Sequence, residues 1–159
     1  MLKGEVFRAS HKNIFQEKKH ASQMNRKEKR CLISKLHSLH SELEFSNHVL
    51  TKKGISFDED MVLELLNSAS CSEIVEYNET TNCSHEVDCR ILLRSHEAYL
   101  VNIIDHISHK QNTRLCNLCV VISLISGRVV TIYWNPETDM HKTLNKKNYN
   151  ESLNIKFIH

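Results

Sequence analysis

Two groups of residues have the types and spacing to do chemistry at sulfur or at a metal. Cys116 and Cys119 form a Cys-x-x-Cys, and Cys83, His85 and Cys89 fall within seven residues, with Cys71 the next thiol upstream. A zinc knuckle holds Cys-x-x-Cys in a tight turn, so that both sulfurs face one ion. A redox pair needs its first cysteine at a helix N-terminus, which lowers the thiol pKa. The residues around Cys116 suit neither setting. Cys116, Leu118, Val120, Ile122 and Leu124 alternate as one apolar strand face, and Cys119 belongs to the other face with Val121 and Ser123. In an extended strand, side chains at i and i+3 point to opposite sides. The pair is therefore expected to fill a core. The second group has no paired motif to complete a tetrahedral set, and Cys89 falls on an apolar strand face. No metal and no cofactor are expected.

Acid–base chemistry without a metal is the remaining option. A metal-independent ribonuclease combines a His or Glu base, an Arg or Lys that stabilises phosphate charge, and often a Tyr or His acid. His48, Arg90, Arg94, Arg128, His141 and Tyr149 are of these types. On this reading His48, Arg94 and His141 are the catalytic candidates. Arg90 and Arg94 share one face of a strand, and the simpler expectation is an exposed sheet face with solvated arginines. The chain lacks G-x-S-x-G, a P-loop, G-x-G-x-x-G and H-E-x-x-H.

The elements that must position these residues follow from periodicity. Leu32, Leu36, Leu39 and Leu43 step by four, three and four, which predicts a helix over 25–44 with one buried face. Two shorter helices follow. Ser46 caps the first, and Gly54 ends it. Ser56 and Glu59 form a capping box for the second, whose buried face is Met61, Val62, Leu65 and Leu66. From Ile74 the period drops to two. Strands are expected at 73–78, 87–95 and 98–107, then two more within Arg114–Trp134. Ser126-Gly127 reads as a two-residue hairpin loop. That loop predicts the pairs Leu124–Val129, Ile122–Thr131 and Val120–Tyr133 on one face, and Val121–Ile132 and Cys119–Trp134 on the other. Helices first and consecutive strands after give an α+β fold, with N-terminal helices packed on an antiparallel sheet of about five strands.

Length and charge set the remaining bounds. A chain of 159 residues can bury about 68–70% of its unfolded surface, so it needs no metal or disulfide staple. No apolar run approaches the roughly 18 residues of a membrane span, and no secretory signal opens the sequence. A cytoplasmic protein with reduced thiols and no membrane partner is expected. Residues 1–30 carry nine Lys and Arg against three Glu, while the other 129 carry 12 basic and 16 acidic residues. Residues 1–24 are expected to be a basic, flexible N-terminal arm, and residues 25–159 a single α+β domain. Lys18, Lys19, Arg26, Lys27, Lys29 and Arg30 are the candidates for contact with a partner, including nucleic acid.

The phrase Phe45-Ser46-Asn47-His48, followed by Lys53-Gly54-Ile55-Ser56 and the strand Arg128–Asn135, resembles small mobile-element families related to RelE and BrnT toxins. Lys53 stands where Arg is usual in that phrase. The similarity spans roughly residues 45–135 and implies the same α+β fold with ribonuclease activity as one outcome. The whole chain, in size, in Asn/Lys/Ile-rich composition and in lacking an enzyme motif, also resembles phage-encoded anti-CRISPR proteins. It is most similar in these respects to type II inhibitors of Cas9 from low-GC Gram-positive bacteria. That resemblance implies stoichiometric binding to a bacterial Cas9 in the host cytoplasm, with no catalysis by the inhibitor itself. Docking of the HNH nuclease domain is a step whose obstruction would suffice.

Overall fold

Leu32, Leu36 and Leu39 are buried on one side of a helix, Arg26–Leu39 (α1), as their spacing requires. Asn25 and Glu28 start it with a reciprocal cap. The Asn25 side chain accepts from the Glu28 amide at 2.8 Å, and a Glu28 carboxylate oxygen accepts from the Asn25 amide at 3.1 Å. The helix ends before the expected residue 44, yet Leu43 still packs against the same core. A second helix, Glu59–Asn67 (α2), buries Val62, Leu65 and Leu66. These elements belong to a computed structural model that describes residues 15–39, 43–46, 49, 59–67, 71–104, 107–139 and 147–155. Gly54 and Ser56, assigned above to helix ends, lie outside the described residues. Ser46 does act as a cap: its hydroxyl accepts from the Val49 amide at 3.3 Å.

Both helices share a core with one face of a six-stranded sheet. Its strands are Phe15–His20 (β1), Glu44–Phe45 (β2), Ser72–Thr81 (β3), Val87–Ile104 (β4), Gln111–Ser123 (β5) and Arg128–Pro136 (β6). The spatial order is β1-β3-β4-β5-β6-β2. All pairings are antiparallel except β2 with β6, which is parallel. The α+β fold with helices on a mainly antiparallel sheet is as the periodicity predicts, with one strand more than expected. Among the described residues no helix is long and apolar enough to cross a membrane.

Three local expectations are corrected. The segments 87–95 and 98–107 were read as separate strands, but Val87–Ile104 is one strand with a bulge between Arg94 and Ala98. Extra residues in one strand bend it without ending the ladder. The β5–β6 hairpin is the second. Its strands end at Ser123 and begin at Arg128, and Gly127 takes φ 72°, in the left-handed region that glycine enters without steric cost. The Gly127 amide donates to the Ser123 carbonyl at 3.0 Å. This longer loop moves the register. Cys119 pairs with Tyr133, Val120 with Ile132 and, beyond a bulge, Ile122 with Val129. A slip of one residue exchanges the faces of a strand. Ile132 and Trp134 therefore join the helix-side core, while Tyr133 goes to the opposite face with Cys119.

The third correction concerns the basic arm. Residues 1–14 lie outside the described residues, but residues 15–24, assigned to the arm, form β1 and a short 3-10 turn, Ala21–Gln23. Lys19 points into the core side of the sheet and is buried. Its ammonium donates to the Glu28 carboxylate at 2.7 Å and to the Leu153 carbonyl at 3.1 Å. One ion pair thus joins β1, the start of α1 and the C-terminal segment. The Asn150 amide donates to the Lys18 carbonyl at 2.7 Å, and Leu153 and Ile155 enter the core. Burying two charges is tolerated because both oxygens of Glu28 have partners and the ammonium has two acceptors.

Removing one member should strand the other charge. Glu28→Gln is expected to cost about 3–5 kcal/mol in urea unfolding, with most of that recovered in the Lys19→Met/Glu28→Leu double variant. Single-variant stability within about 0.5 kcal/mol of the parent would show that the pair does not tie these segments together.

Candidate functional site

The sheet face turned away from the helices carries most of the chemistry-bearing side chains, and the bulge in β4 organises its centre. Between Arg94 and Ala98, three residues of β4 stand opposite Leu118 alone. The ladder bonds lost there are replaced by side chains. The Ser95 hydroxyl accepts from the Leu118 amide at 2.8 Å and donates to the Glu97 carbonyl at 2.7 Å. The Asn117 amide nitrogen donates to the carbonyls of Ser95 and Glu97 at 2.9 and 3.2 Å. Arg94 completes the knot. Its guanidinium donates to the Asn117 side-chain oxygen at 2.5 Å and to the Glu137 carbonyl at 3.3 Å, with the Glu73 carboxylate 3.9 Å away.

Arg94 is only 2% exposed, so the expectation of a solvated arginine is corrected. A guanidinium has five donors in a fixed fork, which suits it to bracing several carbonyls at once. Its place in the knot makes it a structural cross-brace between β4, β5 and the segment after β6. Beside it, burial pushes the Cys119 thiol up to about 11, against the opposing effects of the Tyr133 hydroxyl and Arg94. Burial likewise raises the Tyr133 phenol, reinforced by Cys119.

A second cluster forms at the β2–β6 edge. The Glu44 amide donates to the Gly127 carbonyl at 3.0 Å, and the parallel pairing sets Glu44 opposite Arg128 and Phe45 opposite Val129. Asp88 accepts from the Arg90 guanidinium at 2.7 Å and from the Ser123 hydroxyl at 2.6 Å. Ser46, Arg90, Ser126 and Arg128 line a shallow cleft of about 400 Å³ around them. At the other edge, the Tyr149 hydroxyl donates to the Glu76 carboxylate at 2.7 Å and its ring stands edge-on to His20 at 5.3 Å. Lys18 pairs with the same carboxylate at 3.5 Å.

The sequence-derived candidates therefore disperse. Arg94 and Arg90 share the open face, as expected, but Arg94 is enclosed. His48 and His141 lie outside the described residues. Lys18 is paired and Lys19 is buried, whereas Arg26, Lys27, Lys29 and Arg30 are exposed on the first turns of α1. Cys83 and His85 occupy an exposed turn, while Cys89 faces the core between β3 and β5. Cys116 and Cys119 are both buried and sit on opposite faces of β5, Cys119 with Leu92 and Val75.

One feature escaped sequence reasoning. β3 pairs with β4 only as far as Ser95, and β6 pairs with β5 only from Cys116. Beyond those points, Leu100–Ile104 and Gln111–Leu115 pair with each other and with no other described strand, making a two-stranded arm about 15 Å long. Leu100 and Leu115 are cross-strand partners on it, 73% and 48% exposed, and Ile107 near its tip is 94% exposed. Tyr99 packs edge-on against Trp134 at 5.6 Å and braces its base. The signal was the polar Ser95-His96-Glu97 break between two apolar runs, which marks a bulge as readily as a turn.

The raised Cys119 thiol has a consequence for stability. The stabilisation from keeping it neutral is complete below about pH 9, where an ordinary thiol titrates, and is lost as pH rises through about 11. Urea midpoints are expected to fall over that window, and Cys119→Ala should fall less steeply than the parent. An equal fall in both proteins would refute this.

Comparison with protein-family models gives no match, and neither a curated protein nor a solved structure is similar to the chain.

Proposed function

We propose that the chain is a binding protein that engages a bacterial Cas9 and blocks DNA cleavage stoichiometrically, with docking of the HNH nuclease domain as the obstructed step. The resemblance stated above supplies the partner. The observation that supports binding as the mode of action is the projecting β4–β5 arm with Leu100, Leu115 and Ile107 exposed. Large apolar side chains held at the surface, as the Leu100–Leu115 pair is, are stabilised when a partner covers them, and such side chains anchor many interfaces. The exposed Arg26, Lys27, Lys29 and Arg30 on α1 add a cationic surface that speeds encounter with an acidic partner, including the guide RNA that Cas9 carries. The chain is expected to co-purify with Cas9 and to suppress target cleavage in proportion to its concentration. Leu100→Asp and Ile107→Asp, at exposed positions, should lose binding at least about tenfold without lowering stability. Full inhibition by both variants, or no effect of the parent on cleavage, removes this reading.

A second reading, a metal-independent ribonuclease of the RelE/BrnT-like class, is favoured by the cleft at the β2–β6 edge. There Ser46, from the phrase of the resemblance, lines the cleft with Arg90 and Arg128, two donors suited to a phosphodiester. It predicts RNA degradation in the presence of a chelator, reduced at least about tenfold by Arg128→Ala at unchanged stability. RNA left intact by the purified protein excludes it.

A further inference from the structure

The helix side of the sheet holds a pocket that neither reading uses. It opens where α1, α2 and the start of β3 come together, with a volume of about 340 Å³. Ile33 and Leu36 of α1, Leu65 and Leu66 of α2, Ile74 of β3 and Leu93 of β4 make its walls. Such walls favour an apolar occupant, and the volume has room for on the order of ten heavy atoms.

The rim is polar. Lys29, His37 and His96 stand around the opening, with Ser22 and Ser72. Among the described residues of the rim the one carboxylate is Glu73, which lies 3.9 Å from the Arg94 guanidinium. Lys29 forms no ion pair among the described residues. The Ser72 hydroxyl is turned away to the Leu65 carbonyl at 2.6 Å, so it ties α2 to β3 and leaves the opening to Lys29.

We infer that this pocket binds a small amphipathic anion, an aliphatic carboxylate whose chain lies against Ile33, Leu36 and Leu66 and whose carboxylate meets Lys29 at the rim. Burial of the chain supplies most of the affinity. The ammonium selects the sign of the head group, and its contribution is screened because it is exposed. The site is separate from the projecting arm, so its occupancy and the binding of a partner there are independent measurements.

The test uses decanoate below its micelle concentration, followed by amide chemical shifts of the full chain. Saturable shifts are expected at Ile33, Leu36, Leu66 and His96. Decyltrimethylammonium, with the same chain and the opposite charge, should bind at least about fivefold more weakly. Ile33→Trp, placed at a half-buried position, should fill the pocket and abolish the shifts. Lys29→Glu, at an exposed position, should weaken decanoate about fivefold and invert the preference between the two amphiphiles. No saturable binding, equal binding of both amphiphiles, or decanoate binding unchanged in Lys29→Glu would overturn the assignment. If Ile33→Trp fails to fold, Lys29→Glu alone decides it.

Discussion

The pairing of β4 with β5 is the constraint on which the other elements depend. These are the two central strands, and their contact is the longest in the sheet. Up to Arg94 and Cys119 they are flanked on both sides and their inward residues form the core beneath α1 and α2. At the bulge the ladder breaks, Ser95 and Asn117 satisfy the backbone groups that the break releases, and Arg94 holds the Asn117 side chain. An unpaired buried amide or carbonyl costs far more than an exposed one, so the knot is what permits the strands to continue. Past it the same two strands leave the body as an arm. One irregularity thus separates the scaffold from its projecting surface.

The ends of the chain are closed by a different device. Lys19 and Glu28 are both buried, and their contact joins β1, the first turn of α1 and the backbone at Leu153. A buried ion pair is not an efficient source of stability, since desolvation offsets much of the attraction. It is effective at specifying geometry, because any arrangement that separates the two charges leaves one of them unsolvated. The basic N-terminal stretch is consequently divided in its roles. Lys19 belongs to the core, Lys18 to an ion pair on the open face, and the cations of α1 to the solvent.

The polar groups of the open face are mostly engaged with one another. Arg90 and Ser123 hold Asp88, Tyr149 and Lys18 hold Glu76, and Arg94 is enclosed. Their bonds connect strands and loops, which is the pattern of a braced scaffold. Among the described residues, the arm with Leu100 and Leu115, the exposed cations of α1 and the rim of the helix-side pocket are not engaged in this way. A fold of this kind does not by itself specify a function, and these surfaces are where binding chemistry is concentrated.

Much of the architecture was legible in the order of residues. The 4-3-4 spacing of the α1 leucines identifies its buried face, and the parity of Cys116 and Cys119 sets the two thiols on opposite faces of one strand. Both follow from local geometry, the 3.6-residue turn of a helix and the two-residue repeat of a strand. The exchange of faces along β6, the burial of Arg94 and Lys19, and the projection of the arm were not legible. Gly127 permits several loop geometries, and the one adopted moves the register so that Tyr133 meets Cys119. Arg94 and Lys19 look like surface cations because charge disfavours burial in isolation, and only neighbours distant in sequence, Asn117 and Glu137 for one and Leu153 for the other, supply their acceptors. Local periodicity thus determined which residues form the elements and which of their faces are apolar. Tertiary contact decided register, the pairing of buried charge and the reach of the strands, since each depends on groups the chain brings together only when folded.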